Sequence, residues 1–295
     1  MHRRRRSELF PPDRGLQARM VCAMVLTPAA AIGGIAAVVL YASPRISLGV
    51  ALAAAVGLFA TGAAPAPAPR PATPEDWPRV HATVDRLCLL ADLPKPVLVV
   101  EADERPNSWT VSPAKGADRL HLTAGLLALL PPDELEAVIA HELSHLAHHD
   151  ARVLTVVGGL SGVMMDGAER ALKRNWWFLL FGLAVAYLVG YVSRMGALFL
   201  SRGREFAADA GSAALTRRPA ALASALRRTT GALEALPQRD LRVAAGHDML
   251  GLLPVRRPTE LPRLTATHPD VAKRIARLER LEREMHRARL APPRG

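Results

Sequence analysis

One short stretch constrains this chain more than any other: His141-Glu142-Leu143-Ser144-His145, which matches the pattern H-E-x-x-H. On a helix, the imidazoles of His141 and His145 lie one turn apart on the same face, close enough to share a tetrahedral Zn²⁺. Glu142 then lies beside the open coordination position, where a glutamate can take a proton from water activated by the metal. The alternative is an amphipathic helix that carries histidines on its polar face.

The flanking residues predict that this stretch is helical. Pro131 and Pro132 suit the start of a helix, and acidic residues follow at 133, 134 and 136, where the helix dipole favours negative charge. Apolar residues then recur at spacings of three and four, as on the buried face of a helix. They are Leu135, Val138, Ile139, Leu143 and Leu146.

Charge and aromatic content bear on the possible partners. The 295-residue chain has a formal charge of +11, which suits nucleic acid or an anionic membrane face, but only 4% of its residues are aromatic. No stacking motif is interleaved with the basic residues, so no nucleic acid is expected as a partner, and membrane orientation explains the arginines better. Cys22 and Cys88 lie in segments of different character, and no structural disulfide is expected between them.

Two long apolar runs predict a membrane anchor. No charged residue occurs from 20 to 44 or from 46 to 64. Each run is long enough to cross a bilayer, so residues 20–64 are predicted to form a transmembrane hairpin. A cleaved signal peptide and a buried helical pair of a soluble protein are the alternatives. The basic N-terminus, 1–19, carries six arginines and is expected in the cytoplasm.

A Pro-Ala linker, 65–74, leads into the main domain, 75–295. Residues 97–101, 107–111 and 119–123 have the composition and flanking turns of short strands, and helical patterns surround them. The predicted fold class is mostly α with a small β-sheet, an α+β zincin-like domain, together with transmembrane helices. An edge strand of such a sheet can hold an extended peptide through main-chain hydrogen bonds.

A membrane-associated segment at about 153–200 is predicted to interrupt this domain. Residues 175–193 are uncharged and long enough to cross, with two tryptophans as an interfacial anchor, and the apolar run continues beyond Arg194 to 200. Residues 153–165 are short for a span, and whether they cross is left open. The last helix, from about 269, is predicted to dock through an apolar stripe and to keep its alternating arginines and glutamates in solvent.

A third metal ligand is expected on a separate segment. The extended pattern H-E-x-x-H-x-x-G-x-x-H is excluded, because its glycine position is His148 and its last histidine position is Ala151. A downstream pair, Glu205 and Asp209, lies at i and i+4 on one helical face. Glu205 would complete a His₂Glu site, and Asp209 could accept an N–H from a ligand histidine and fix its orientation. A solvated acidic face is the alternative.

Four motifs together resemble those of the membrane-embedded zinc peptidases of the HtpX and CAAX-prenyl-protease group. They are Pro106-Asn107-Ser108-Trp109, similar to that family's P-N-A-F/W strand, the stretch Glu136–His145, Glu205–Asp209, and Thr267-His268-Pro269. Their order also matches, as does the placing of apolar segments before the zinc motif and between it and Glu205. The Pro-Ala linker, the short run 153–165 and the basic loop after it depart from the family's pattern.

The resemblance implies a role for each matching residue. It implies His141, His145 and Glu205 as zinc ligands and Glu142 as general base, with Asp209 behind the ligands. It also implies that His268 lies close to the catalytic centre and stabilises the tetrahedral intermediate. Asn107 stands where the family's substrate-side strand begins.

These observations predict a multi-pass membrane peptidase with one Zn²⁺ per chain and its catalytic domain facing the cytoplasm. The resemblance implies polypeptide substrates, among them misfolded or damaged membrane proteins, as in protein quality control. One alternative is a membrane sensor-transducer that cleaves a regulatory protein, although no extracytoplasmic sensing domain is visible. Another is a non-catalytic zinc-binding scaffold, against which Glu142 argues, because a purely structural site has no use for a general base.

Overall fold

The computed structural model describes residues 70–113, 116–148, 201–235, 252 and 269–290, and single residues at 18, 29, 33, 48 and 191. The longer segments belong to one compact unit. The predicted basic N-terminus, the hairpin 20–64 and the segment 153–200 lie outside the described residues, apart from those single positions. Within the described part of the chain, no helix is both long enough and apolar enough to cross a membrane.

This unit contains a three-stranded sheet. Its strands are β1 (Val97–Glu101), β2 (Ser108–Val111) and β3 (Arg119–Thr123). The strand order is β1-β3-β2, with β1 parallel and β2 antiparallel to the central β3. The three predicted strands are confirmed, with β2 one residue shorter than expected, and β2 is an edge strand of this sheet.

One helix comes before the strands of the sheet in the chain and another follows them. Helix α1 (Pro78–Ala91) precedes β1, and helix α2 (Ala124–Leu129) follows β3 directly. Thr123 caps α2, because its hydroxyl oxygen accepts a hydrogen bond from the Leu126 amide at 3.2 Å. The same oxygen accepts the Asn107 amide at 2.9 Å, so the cap also holds the start of β2 against β3.

Helix α3 (Pro132–Ala147) carries the H-E-x-x-H motif, as the sequence predicts. Pro132 lies in its first turn with Asp133 and Glu134, and His148 forms its C-cap. The predicted stripe is buried from Val138 to Leu146, and α3 contacts α1 and β2. Because α1 and β2 cover the middle of α3, the motif lies in the interior of the unit and not on a solvent-exposed face.

The described residues of the unit contain three further helices. Residues 201–216 are helical and are termed α4, followed by α5 (Pro219–Ala235) and α6 (Val271–Leu290). Helix α5 packs against α3 and α6. Ser212 of α4 donates a buried hydrogen bond to the Ala137 carbonyl of α3 at 2.7 Å, which ties the Glu205 helix to the motif helix. The predicted combination of helices with a small sheet is confirmed.

One close approach depends on a glycine. Gly125, the second residue after β3, packs under the loop before β2, and a Cβ placed there would lie 1.9 Å from the Glu104 carbonyl oxygen. We expect Gly125→Ala to lower the free energy of unfolding by about 2 kcal/mol or more, because backbone must move to relieve this overlap. Thermal unfolding of the purified proteins measures the loss.

The matched control is Gly231→Ala in the interior of α5. A Cβ at Gly231 meets nothing within 4 Å. Alanine there is expected to raise stability by about 0.5–1 kcal/mol, because it favours the helix without a clash. Equal effects of the two substitutions would contradict the close approach at Gly125.

Candidate active site

The two motif histidines point into the same space from one face of α3. Their Nε2 atoms lie 3.1 Å apart, and the rings meet edge to face with centroids 4.7 Å apart. His141 is fully buried. Two imidazole lone pairs that face each other at this distance repel unless a cation or a proton lies between them, so the arrangement suits a metal ion.

Glu205 brings a carboxylate to the same point from α4. Its oxygens lie 3.7 Å from His141 Nε2 and 3.6 Å from His145 Nε2. Ligand atoms arranged tetrahedrally around Zn²⁺ are about 3.3–3.6 Å apart, given metal–ligand distances of about 2.0–2.2 Å. His141, His145 and Glu205 offer three donor atoms within 4.8 Å of one another. The donor types and their spacing therefore fit zinc.

The electrostatics of His145 also favour a metal. Burial holds its pKa well below the ordinary histidine value, and the neighbouring His141 lowers it further. The neutral imidazole that results has a lone pair to donate, which is the form that binds metal ions.

Asp209 lies behind the first histidine. One of its oxygens is 3.1 Å from His141 Nδ1, on the ring side opposite to the proposed ligand atom. A carboxylate there selects the tautomer with the proton on Nδ1 and leaves Nε2 free for a metal. Burial raises the pKa of Asp209, but the charge of Arg274 and hydrogen bonds from His141 and Arg274 outweigh burial and lower it.

Arg274 of α6 holds both acidic residues. Its guanidinium donates to the two Asp209 oxygens at 2.7 and 3.0 Å, and its Nη1 lies 2.9 Å from a Glu205 oxygen. Nη1 also donates to the Leu252 carbonyl at 3.0 Å. The side chain is fully buried. Burial acts to lower the pKa of Arg274, but the two carboxylates reverse this and raise it, so the guanidinium stays charged.

Glu142 lies beside the three donors with its carboxyl group buried. Ser108 Oγ donates to Glu142 Oε1 at 2.7 Å. Burial raises the pKa of Glu142 to about 7, against the opposing effects of His141 and of the Ser108 hydrogen bond. A carboxyl with a pKa near neutrality can both accept and return a proton at physiological pH.

Comparison with known proteins identifies the family. The family model described as Peptidase family M48 matches residues 74–282, which is most of the chain. This chain is an M48 peptidase. It is therefore a metalloprotease, a hydrolase whose substrates are polypeptides.

Individual M48 relatives align over most of this chain. Protease HtpX homolog 2 of Methanosarcina mazei is 35% identical over 295 residues, covering 92% of this chain and 97% of that protein. Protease HtpX homolog 1 of Streptomyces coelicolor is 39% identical over 229 residues, covering 72% and 74%. A homolog from Moorella thermoacetica is 36% identical over 231 residues, covering 74% and 76%. The predicted likeness to HtpX-type proteases is confirmed.

Arg274 differs from the prediction that the arginines of the last helix lie in solvent. That prediction is wrong for this residue of the M48 peptidase, because Arg274 is buried among acidic groups. A signal was present, because Arg274 lies three residues after Val271 and four before Leu278, on the apolar stripe itself. Ser108 was likewise not singled out, since nothing local links it to a residue 34 positions away.

The other predicted site residues lie in different situations. Asn107 is buried, and its Oδ1 accepts the Ser108 amide at 2.9 Å, so it shapes the start of β2; its contact with substrate stays a prediction. His268 lies outside the described residues, and its role also stays a prediction. His148 donates from Nδ1 to the Ser144 carbonyl at 2.8 Å, as expected of a polar residue at a helix end.

Proposed function

We propose that this M48 peptidase is a zinc-dependent endopeptidase embedded in the cell membrane. The observation that carries the proposal is the convergence of donor atoms from His141, His145 and Glu205 within 4.8 Å of one another, beside the buried Glu142 carboxyl. Two imidazoles and one carboxylate form a donor set typical of catalytic zinc sites, which keep one position open for reaction.

Each residue has a part in the proposed mechanism. His141, His145 and Glu205 would hold one zinc ion, which supplies Lewis-acid polarisation of the scissile carbonyl and makes water more acidic. Glu142 takes a proton from the water that attacks the carbonyl carbon and then delivers it to the leaving amine as the C–N bond breaks. Asp209 keeps the His141 ring in one tautomer and orientation.

The substrate is proposed to lie extended along the outer edge of β2, which contacts the motif helix α3. Peptides commonly add to an exposed sheet edge through main-chain hydrogen bonds. At Ser108 this edge is already occupied, because the Ser108 carbonyl accepts a hydrogen bond from the Leu252 amide at 2.8 Å, so the substrate would pair with the rest of the strand.

The sequence supports the proposed membrane setting, and the resemblance to HtpX-type proteases supports the proposed substrate class. The apolar runs within 20–64 and the arginines before them support a multi-pass protein whose catalytic domain faces the cytoplasm. Such a placement suits misfolded or damaged membrane proteins as substrates, which expose unfolded polypeptide near the bilayer.

Metal removal tests the proposal. The full chain is purified in detergent, its zinc content is measured, and cleavage of an unfolded model protein is followed before and after treatment with a chelator. We expect about one zinc per chain and a loss of activity of about 100-fold or more on chelation, because the metal supplies several kcal/mol of transition-state stabilisation.

Adding back one equivalent of zinc should restore cleavage. In liposomes, a destabilised membrane protein should be cut faster than its folded form. Activity that survives complete zinc removal would contradict the zinc mechanism, and bound zinc without cleavage of either substrate would favour the scaffold alternative.

A further inference from the structure

Ser108 contacts Glu142 from the first position of β2. Its hydroxyl donates to Oε1 at 2.7 Å, and both residues are almost completely buried, with 0% and 1% of their surfaces exposed. At this distance, and away from water, a hydroxyl-to-carboxylate bond is strong enough to select one orientation of the carboxyl group.

The second carboxyl oxygen is in a different situation. Glu142 Oε2 is buried and accepts no hydrogen bond from any residue in the described part of the chain. The two oxygens of a carboxyl group are chemically equivalent until something distinguishes them. Here the Ser108 hydroxyl occupies Oε1 and leaves Oε2 available to take a proton.

Ser108 is itself held in place on both sides. Its amide donates to Asn107 Oδ1 at 2.9 Å, and its carbonyl accepts the Leu252 amide at 2.8 Å. Its position in β2 is set by antiparallel pairing with β3, where it lies opposite Leu122. The hydroxyl is therefore carried on a backbone that has little freedom to shift.

We propose that Ser108 is a positioning residue for the catalytic base: its hydroxyl anchors Glu142 Oε1 and so directs Oε2 toward the reacting water. The inference rests on the proposed function, in which Glu142 is the general base. Ser108 itself takes no part in proton transfer. Its effect is on the orientation of the base, which enters the rate of the chemical step rather than substrate affinity.

The test compares Ser108→Ala with wild type. Loss of the hydroxyl is expected to lower kcat about 10-fold, in line with removal of a hydrogen bond to a charged group, while KM and zinc content stay within about 2-fold. Ser108→Thr retains a hydroxyl and should recover most of the rate. Thr229→Val removes a fully buried hydroxyl of α5 that donates to the Ala225 carbonyl at 2.7 Å; it is the matched control and should change kcat less than about 2-fold.

Two further readouts separate positioning from a general structural effect. In a Glu142→Asp background the shortened side chain no longer places its carboxyl group within reach of Ser108. Adding Ser108→Ala to that variant should therefore lower kcat by less than about 2-fold. Infrared difference spectra against Glu142→Gln isolate the carboxyl band of Glu142 without any need for activity. That band should shift when Ser108→Ala removes the hydrogen bond.

The outcomes distinguish this inference from the proposed function. If Glu142→Gln abolishes cleavage while Ser108→Ala leaves kcat and the infrared band unchanged, the positioning role of Ser108 is overturned and the base stands. If Glu142→Gln remains active, the general base itself is wrong. An equal loss from Ser108→Ala in both backgrounds would also overturn the positioning role.

Discussion

Glu142→Gln is expected to lower kcat for peptide hydrolysis by about 1000-fold while the protein keeps its metal. Glutamine has nearly the same size and preserves an acceptor oxygen for the Ser108 hydroxyl, but it cannot take the proton of the attacking water. General acid–base catalysis by a positioned side chain contributes about 10²–10⁴-fold, which sets the expected loss. Steady-state kinetics on an unfolded protein substrate, with zinc measured on the same samples, provides the test.

The matched control for this substitution lies on the same helix. Glu136 is paired with Arg86 at 2.7 Å, on the side of α3 away from the site. Glu136→Gln removes an equivalent charge and should leave kcat within about 2-fold, because a partly exposed ion pair contributes little. Similar losses from both substitutions would mean that charge on α3, and not proton transfer, explains the effect.

Arg274→Met is expected to destabilise the fold by about 3–5 kcal/mol. The substitution keeps most of the side-chain length but leaves Asp209 and Glu205 buried without their cation, and unpaired buried charges carry a cost of this size. Chemical denaturation of the metal-free protein measures the loss. The affinity for zinc should also fall, by about 10-fold or more, because the carboxylates lose the group that orients them.

Two comparisons sharpen the Arg274 experiment. Arg277→Met changes an exposed arginine of α6 that lies over the Phe206 ring, with 5.2 Å to its centroid, and should cost less than about 1 kcal/mol. In an Asp209→Asn background, Arg274→Met should lower the free energy of unfolding by less than it does in the wild-type protein, because one of the two buried negative charges has already been removed. Additive losses would contradict the direct pairing of Arg274 with Asp209.

The local parts of this fold could be read from the sequence. Apolar residues that recur every three or four positions predicted α3, and the helical repeat by itself placed His141 and His145 on one face. The same repeat paired Glu205 with Asp209. The strands β1, β2 and β3 were predicted from their composition and flanking turn residues. These features depend on neighbours within about one helical turn or one hairpin, which is the range over which a sequence pattern acts.

The contacts between distant segments could not be read in this way. Ser108 and Glu142 meet only because β2 packs against α3, and Arg274 reaches Asp209, 65 residues before it, only because α6 docks onto the unit. The sequence places Arg274 on the apolar stripe of α6, but nothing in it identifies the buried carboxylates that this side chain meets. The sequence by itself determined the motif helix and the residue types of the site. Tertiary packing decided which buried cation balances the acidic residues and which hydroxyl holds the catalytic glutamate, because burial and pairing belong to the assembled core and not to any one segment.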